Sequence, residues 1–253
     1  MELRLSGRTA VVTGASRGIG LATTRTLIEE GVRVVGAART VTAELKDSGA
    51  IAVSADLSTP DGAQRFIERA LSELEGIDLL VNNVGGGDSY AAGGFLSVDD
   101  ATWKRAFDVN FYSAVWASKA ALPSLVERKG AIINVSSVVA HAPSAGTMDY
   151  AVPKAALTAW SKALAEEFGP QGVRVNTISP GPVRTAFWDV MAGAYGSDPA
   201  ELLSQLPAMA GMLTGKVIEP EEVATLIAFL ASDHARSIVG ADQLIDAGAI
   251  KTL

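Results

Sequence analysis

The chain predicts an α/β fold, a Rossmann-like, doubly wound parallel sheet in a single domain, on three observations. Short β-branched runs alternate with longer segments of helical period; the runs are apolar throughout; and no repeat, low-complexity tract or linker breaks the 253 residues. Strands apolar on both faces suit a parallel sheet covered by helices on each side. Repeated βα units wind such a sheet.

TAVVTG (9–14) reads as the first buried strand. IGLATTRTLIEEG (19–31) follows as a helix with Gly31 just past its end. VRVVGA (32–37), IAVSA (51–55), LLVNNV (79–84), AIINVSS (131–137) and VRVNTIS (173–179) continue the strands, and QLID (243–246) closes them. Helical period marks 61–75, 99–127 and 153–169, and Pro220 opens a further helix over 221–231. The segment 186–215 breaks the rhythm, being long, apolar, Gly-interrupted and without a strand. A loop of that length in a compact domain is usually functional, so it is expected to be a substrate lid.

Composition narrows the function classes. With 48% hydrophobic and 19% charged residues the chain can bury a sizeable core. A net charge of −7 disfavours binding to nucleic acid. The absence of cysteine excludes disulfides and thiolate metal sites and is compatible with a reducing cytoplasm, the expected location. His141 and His234 lack metal-ligand spacing, so no metal is expected. No apolar run reaches the length of a membrane span or signal peptide.

TGASRGIG (13–20) joins the first strand to the first helix. Glycines 14, 18 and 20 permit a tight turn, close approach to a pyrophosphate and helix-on-strand packing, while the helix N-terminus attracts phosphate. By itself the motif says only that a dinucleotide binds. Residues 136–154, SSVVAHAPSAGTMDYAVPK, raise the second question, because Ser137, Tyr150 and Lys154 stand thirteen and four residues apart.

Taken together the chain resembles the short-chain dehydrogenase/reductase family over nearly its whole length. TGASRGIG matches that family's T-G-x-x-x-G-x-G turn; NNVG (82–85) stands where the family has N-N-A-G; Tyr150 and Lys154 form Y-x-x-x-K; PGPVRT (180–185) matches P-G-x-x-x-T. The resemblance implies Asn110, Ser137, Tyr150 and Lys154 as catalytic residues. It implies cofactor contacts at Gly14, Ser16, Arg17, Gly18, Ile19, Gly20, Arg39, Asp56, Leu57, Asn83, Gly85, Tyr150, Lys154, Pro180, Gly181, Val183 and Thr185. Asp56 would meet the adenine amino group, Lys154 the ribose hydroxyls, and Thr185 and the backbone near Val183 the carboxamide. Asn110 would hold a water linking Lys154 to solvent. Family members are commonly tetramers, so a homo-oligomer, tetramer or dimer, is expected. Three departures stand out: Val84 for alanine, the glycines 85–87 and 93–94 beside the site, and IDAGA (245–249) for V-D-G-G, which puts the turn at Ala247 in question.

The residues also carry plainer readings. Asn82 and Asn83 can cap a strand end and are expected to be mainly structural. Asn110 is a poor helix former that is often a tolerated surface residue. Asp56 can cap the next helix, and His141 is expected in a loop near the cleft. The apolar side chains of 186–215, among them Phe187, Trp188, Met191, Tyr195, Leu202, Leu203, Leu206, Met209, Met212 and Leu213, can meet an apolar substrate or pack the segment on the body.

The trio makes chemical sense on one helix face. Residues four apart share a face, and Pro153 is tolerated only in a first turn. The helix is therefore expected to begin near Tyr150, capped by Thr147 or Asp149. Reducing a carbonyl by hydride leaves an alkoxide that needs a proton. A free tyrosine, with a pKa near ~10, is a reluctant base for the reverse direction. An ammonium about 4 Å away would stabilise phenolate by up to ~4 kcal/mol at an effective dielectric near 20. Ser137 can steady the alkoxide without a charge of its own. The expected function is an NAD(P)-dependent oxidoreductase interconverting a ketone and a secondary alcohol of apolar or mixed polarity. A non-catalytic dinucleotide-binding scaffold is the alternative.

Cofactor choice follows from VRVVGAARTV (32–41). An acid at the end of the second strand binds the ribose 2′-hydroxyl of NAD. Here Ala38 takes that place, Arg39 follows, and Arg17 lies in the glycine turn. NADP(H) is expected over NAD(H).

Overall fold

The computed structural model describes residues 2–86 and 94–251. Seven parallel strands form one sheet in the order β3-β2-β1-β4-β5-β6-β7. They are β1 (Thr9–Thr13), β2 (Arg33–Ala38), β3 (Ile51–Ser54), β4 (Leu79–Asn82), β5 (Ala131–Val135), β6 (Arg174–Pro180) and β7 (Asp242–Ile245). Alternate residues serve opposite faces, as strand geometry requires. Val12, Val34, Val81 and Ile133 pack with Leu27 of α1 (Gly18–Glu29) and with Val223 and Ile227 of α9 (Pro220–Ala231). Val11, Val35, Leu80 and Ile132 pack with Phe66 of α3 (Pro60–Leu74), Leu125 of α5 (Ser113–Arg128) and Leu164 of α6 (Met148–Phe168). Strand order reverses between β1 and β4, which opens a crevice at their carboxyl ends.

Local chemistry explains several boundaries. Pro60 starts α3 and the Thr59 hydroxyl accepts from Gly62 N–H at 3.1 Å, so Thr59, and not Asp56, is the cap. Gly62 is obligatory there, because a Cβ would stand 1.8 Å from Asp56 O. Pro220 opens α9 as its position predicts, inside a capping box of Glu219 and Glu222. The short α2 (Ala43–Lys46), capped by Thr42, has too few residues to show a period.

Three expectations need correction. The helix expected over 99–127 is α4 (Asp100–Phe107), a π-helical turn at Asp108–Tyr112, then α5. The segment 186–215, expected to be a loop, holds α7 (Phe187–Tyr195) and α8 (Pro199–Met209), whose glycines stand at the helix ends or are tolerated within. The helix α6 begins at Met148, near Tyr150 as expected, but without the expected cap, since Thr147 makes no side-chain cap bond and Asp149 lies inside the helix. Pro153 is thus its sixth residue, just past the first turn. Of the loop glycines, Gly87 and Gly93 lie outside the described residues.

Candidate active site

The carboxyl ends of β1, β4, β5 and β6 bring the predicted residues to one crevice. Gly14 leaves β1 with φ +68°, and Gly20 is needed because a Cβ there would stand 2.1 Å from Gly14 O. Arg17 occupies the N-cap of α1 without a side-chain cap bond, so the first N–H groups of α1, at Gly18, Ile19 and Gly20, are open to an anion. Ser16 O accepts from the Thr42 hydroxyl at 3.0 Å, which ties the turn to the start of α2. Thr185 stands over the turn, its Cγ2 3.0 Å from where a Cβ of Gly18 would be. This cradle fits a dinucleotide pyrophosphate.

Asn83 lashes the end of β4 to the turn. Its N–H donates to Thr13 Oγ1 at 2.9 Å, and its Nδ2 donates to Thr13 O and Gly14 O, each at 3.1 Å. Asn82 Nδ2 donates to Asn134 Oδ1 at 2.8 Å and Ser118 Oγ at 3.0 Å. Both asparagines hold structure, as their position at a strand end implies.

Lys154 is 2% exposed, and its Nζ donates to Val135 O at 2.8 Å and lies 5.8 Å from the centroid of the Tyr150 ring. A Cβ on Gly85 would stand 2.8 Å from that Nζ and 3.2 Å from Asn110 Oδ1, so a larger residue there would push the Lys154 ammonium aside. Asn110, in the π-turn, is buried; its Oδ1 accepts from Gly86 N–H and its Nδ2 donates to Gly86 O, each at 2.9 Å, and to Ala106 O at 3.0 Å. It is therefore no surface residue. Ser137 ends the stretch after β5 and its hydroxyl hydrogen-bonds the Tyr150 phenol.

Electrostatics here run opposite to the expected lowering of the Tyr150 pKa by Lys154. Burial pushes the phenol up from its ordinary value, and the Ser137 hydrogen bond only partly offsets this. Burial also brings the Lys154 ammonium down to about 7. Desolvation penalises both charged forms at once, which the sequence spacing cannot register. The phenol is thus held in its neutral form near pH 7.

The other predicted positions vary in exposure. Arg39 and Arg17 are exposed, and Ala38 is buried at the end of β2. The Asp56 carboxyl is held below its usual range mainly by bonds from the Ser58 hydroxyl and N–H, with a lesser contribution from the Arg39 charge. Leu57 turns its side chain into the core. Pro180 ends β6, Gly181 N–H donates to Ile245 O at 2.9 Å, and Val183 O accepts from Trp188 Nε1 at 2.8 Å. His141 is tied away to β7, its Nε2 2.8 Å from Asp242 Oδ2. Sequence reasoning missed Ser136, whose buried hydroxyl donates to Lys154 O at 3.1 Å and steadies the helix that carries the trio. Its only signal was the Ser136-Ser137 doublet.

Among the described residues no group of His, Cys, Asp or Glu could hold a metal ion, and no helix is long and apolar enough to cross a membrane. A family model described as enoyl-(acyl carrier protein) reductase matches residues 14–249. The chain is 39% identical to an uncharacterised oxidoreductase of Methylorubrum extorquens, over 94% of this chain and 95% of that one. It is 37% identical to carbonyl reductase [NADPH] 2 of Sus scrofa, over 98% of each chain. The crystal structure of L-sorbose reductase from Gluconobacter frateurii, complexed with NADPH and L-sorbose, superposes over 100% of both chains with a TM-score of 0.92 and 32% identity.

Proposed function

The chain belongs to the short-chain dehydrogenase/reductase family, and on that premise we propose that it interconverts a ketone and a secondary alcohol with NADP(H) as its redox cofactor. The observation that carries the reading is the buried Lys154 behind the Ser137–Tyr150 hydrogen bond, at the end of the glycine cradle. The nicotinamide supplies the hydride chemistry. Ser137 orients the carbonyl oxygen, and Tyr150 gives that oxygen its proton in reduction or takes it in oxidation. Lys154 supports the phenolate whenever it carries its proton. Asn110, fixed on Gly86 beside Lys154, positions the route by which the proton returns to solvent.

The NADPH named for the pig and Gluconobacter proteins supports the cofactor preference, as does the Ala38–Arg39 pair here. Residues 186–215 act as the substrate lid. Met212 packs it on the core and Leu206 is buried, whereas Val190, Met209 and Leu213 remain exposed, which supports a substrate of apolar or mixed polarity.

Tyr150→Phe tests the assignment. Turnover of ketones with NADPH, followed by nicotinamide absorbance, should fall by roughly 10²–10⁴-fold, the usual contribution of a positioned acid–base group. Cofactor affinity should change little. Turnover within tenfold of the unmodified protein would overturn the role of Tyr150.

A further inference from the structure

The last turn of the chain, beyond β7, touches both halves of the site. On one side, a Cβ on Gly181 would stand 2.9 Å from Asp246 Cα, so the turn lies directly against residues 180–185. On the other side, Leu213 N–H donates to Ala247 O at 2.7 Å and Lys251 Nζ donates to Gly211 O at 2.7 Å. A Cβ on Gly248 would meet Leu213 Cδ1 at 2.7 Å. The turn is thus a spacer between the segment that would bind the carboxamide and the C-terminal root of 186–215.

Asp246 sets the shape of that spacer. It is 9% exposed; its Oδ1 accepts from Gly248 N–H at 2.9 Å and its Oδ2 from Ile250 N–H at 2.7 Å. Between these anchors Ala247 has φ +54°, the left-handed region that residues with a Cβ rarely adopt. Such a conformation persists only where its surroundings over-determine it. The two carboxylate bonds and the Leu213 bond do so here, which answers the question that alanine at this position raised.

We propose that Asp246 is a positioning residue for the reaction: by locking the last turn it fixes the lid root at a set distance from the cofactor turn. The inference rests on the oxidoreductase reading above. Asp246 touches neither substrate nor cofactor in this scheme, and Ser137, Tyr150 and Lys154 stand on other elements. Loosening the turn therefore weakens the hold of lid and cofactor turn on substrate before it disturbs proton transfer. A purely structural Asp246 would lower the folded fraction and leave KM alone.

Asp246→Asn keeps the size of the side chain but turns one acceptor into a donor facing an N–H. We expect KM for a ketone to rise about tenfold with kcat within about threefold, a split that marks lost substrate binding. Exchange of the Leu213 amide, read by hydrogen exchange, should quicken by about tenfold or more, since it reports local opening. Should that variant fold poorly, Lys251→Gln removes the exposed second tether and should shift both readouts in the same direction, by a few-fold. A KM equal to that of the unmodified protein, or unchanged Leu213 exchange in a folded variant, overturns the proposal. If the unmodified protein turns over no ketone or secondary alcohol, the oxidoreductase reading fails. Leu213 exchange then still decides whether Asp246 holds the lid root.

Discussion

Burial brings Lys154 to about 7, and that makes its contribution to stability depend on pH. In the unfolded chain a lysine titrates near ~10.4. Below about 7 both states hold the proton; between that value and ~10.4 the unfolded state binds more protons, so stability rises with pH across the window. Lys154→Met lacks this dependence. The stability of the unmodified protein minus that of Lys154→Met, from urea unfolding without cofactor, should therefore grow from pH 7 toward pH 10. A flat difference would mean that Lys154 keeps its ordinary pKa in the folded chain. Tyr150 moves the other way, with burial favouring the neutral phenol.

Among elements, the π-turn at Asp108–Tyr112 matters most to the site. Within this turn Ser113 N–H reaches back to Asp108 O, one residue beyond the usual α-helical partner, and Asn110 Nδ2 donates to Ala106 O while also holding Gly86. Helix-breaking chemistry and site geometry thus meet in one side chain. Asn110→Ala removes the bonds to the exposed Gly86 backbone and should cost about 0.5–1.5 kcal/mol for each bond lost, read as a lowered unfolding midpoint. It should also reduce turnover; a variant with unchanged stability and rate would remove Asn110 from the site. The segment 186–215 is the proposed lid. Its stem is closed, with Arg184 N–H donating to Ile218 O at 2.8 Å and Arg184 Nε to Glu219 Oε1 at 2.8 Å. If the segment closes as a lid, α7 and α8 should exchange amide hydrogens faster than α6 and slow on addition of NADPH and substrate. Equal protection with and without ligands would count against a lid.

At the scale of the molecule, a net charge of −7 opposes the approach of an anionic dinucleotide, so affinity must come from local fields. The open N-terminus of α1 would serve either cofactor, whereas Arg39, exposed beside buried Ala38, is the residue proposed to favour a 2′-phosphate. One charge-assisted bond corresponds to a preference of roughly 10–150-fold for NADPH over NADH. Arg39→Ala should erase the preference, Ala38→Asp should reverse it, and added salt should shrink it because Arg39 is exposed. Equal dissociation constants for the two cofactors in the unmodified protein would sink this reading. What the sequence by itself determined is what local spacing encodes: strands buried on both faces, the βα rhythm that sets a parallel sheet, the glycine turn, and Tyr150 and Lys154 one helical turn apart. Tertiary structure alone decided what depends on neighbours distant in the chain. Val135 and Gly85 enclose Lys154, so the protonation balance of the pair follows from desolvation and not from spacing. Gly86 claims Asn110, and Leu213 meets Ala247, because folding brings together backbone groups that no local pattern relates. A buried donor or acceptor must find its partner wherever the fold puts one, and that partner is legible only in three dimensions.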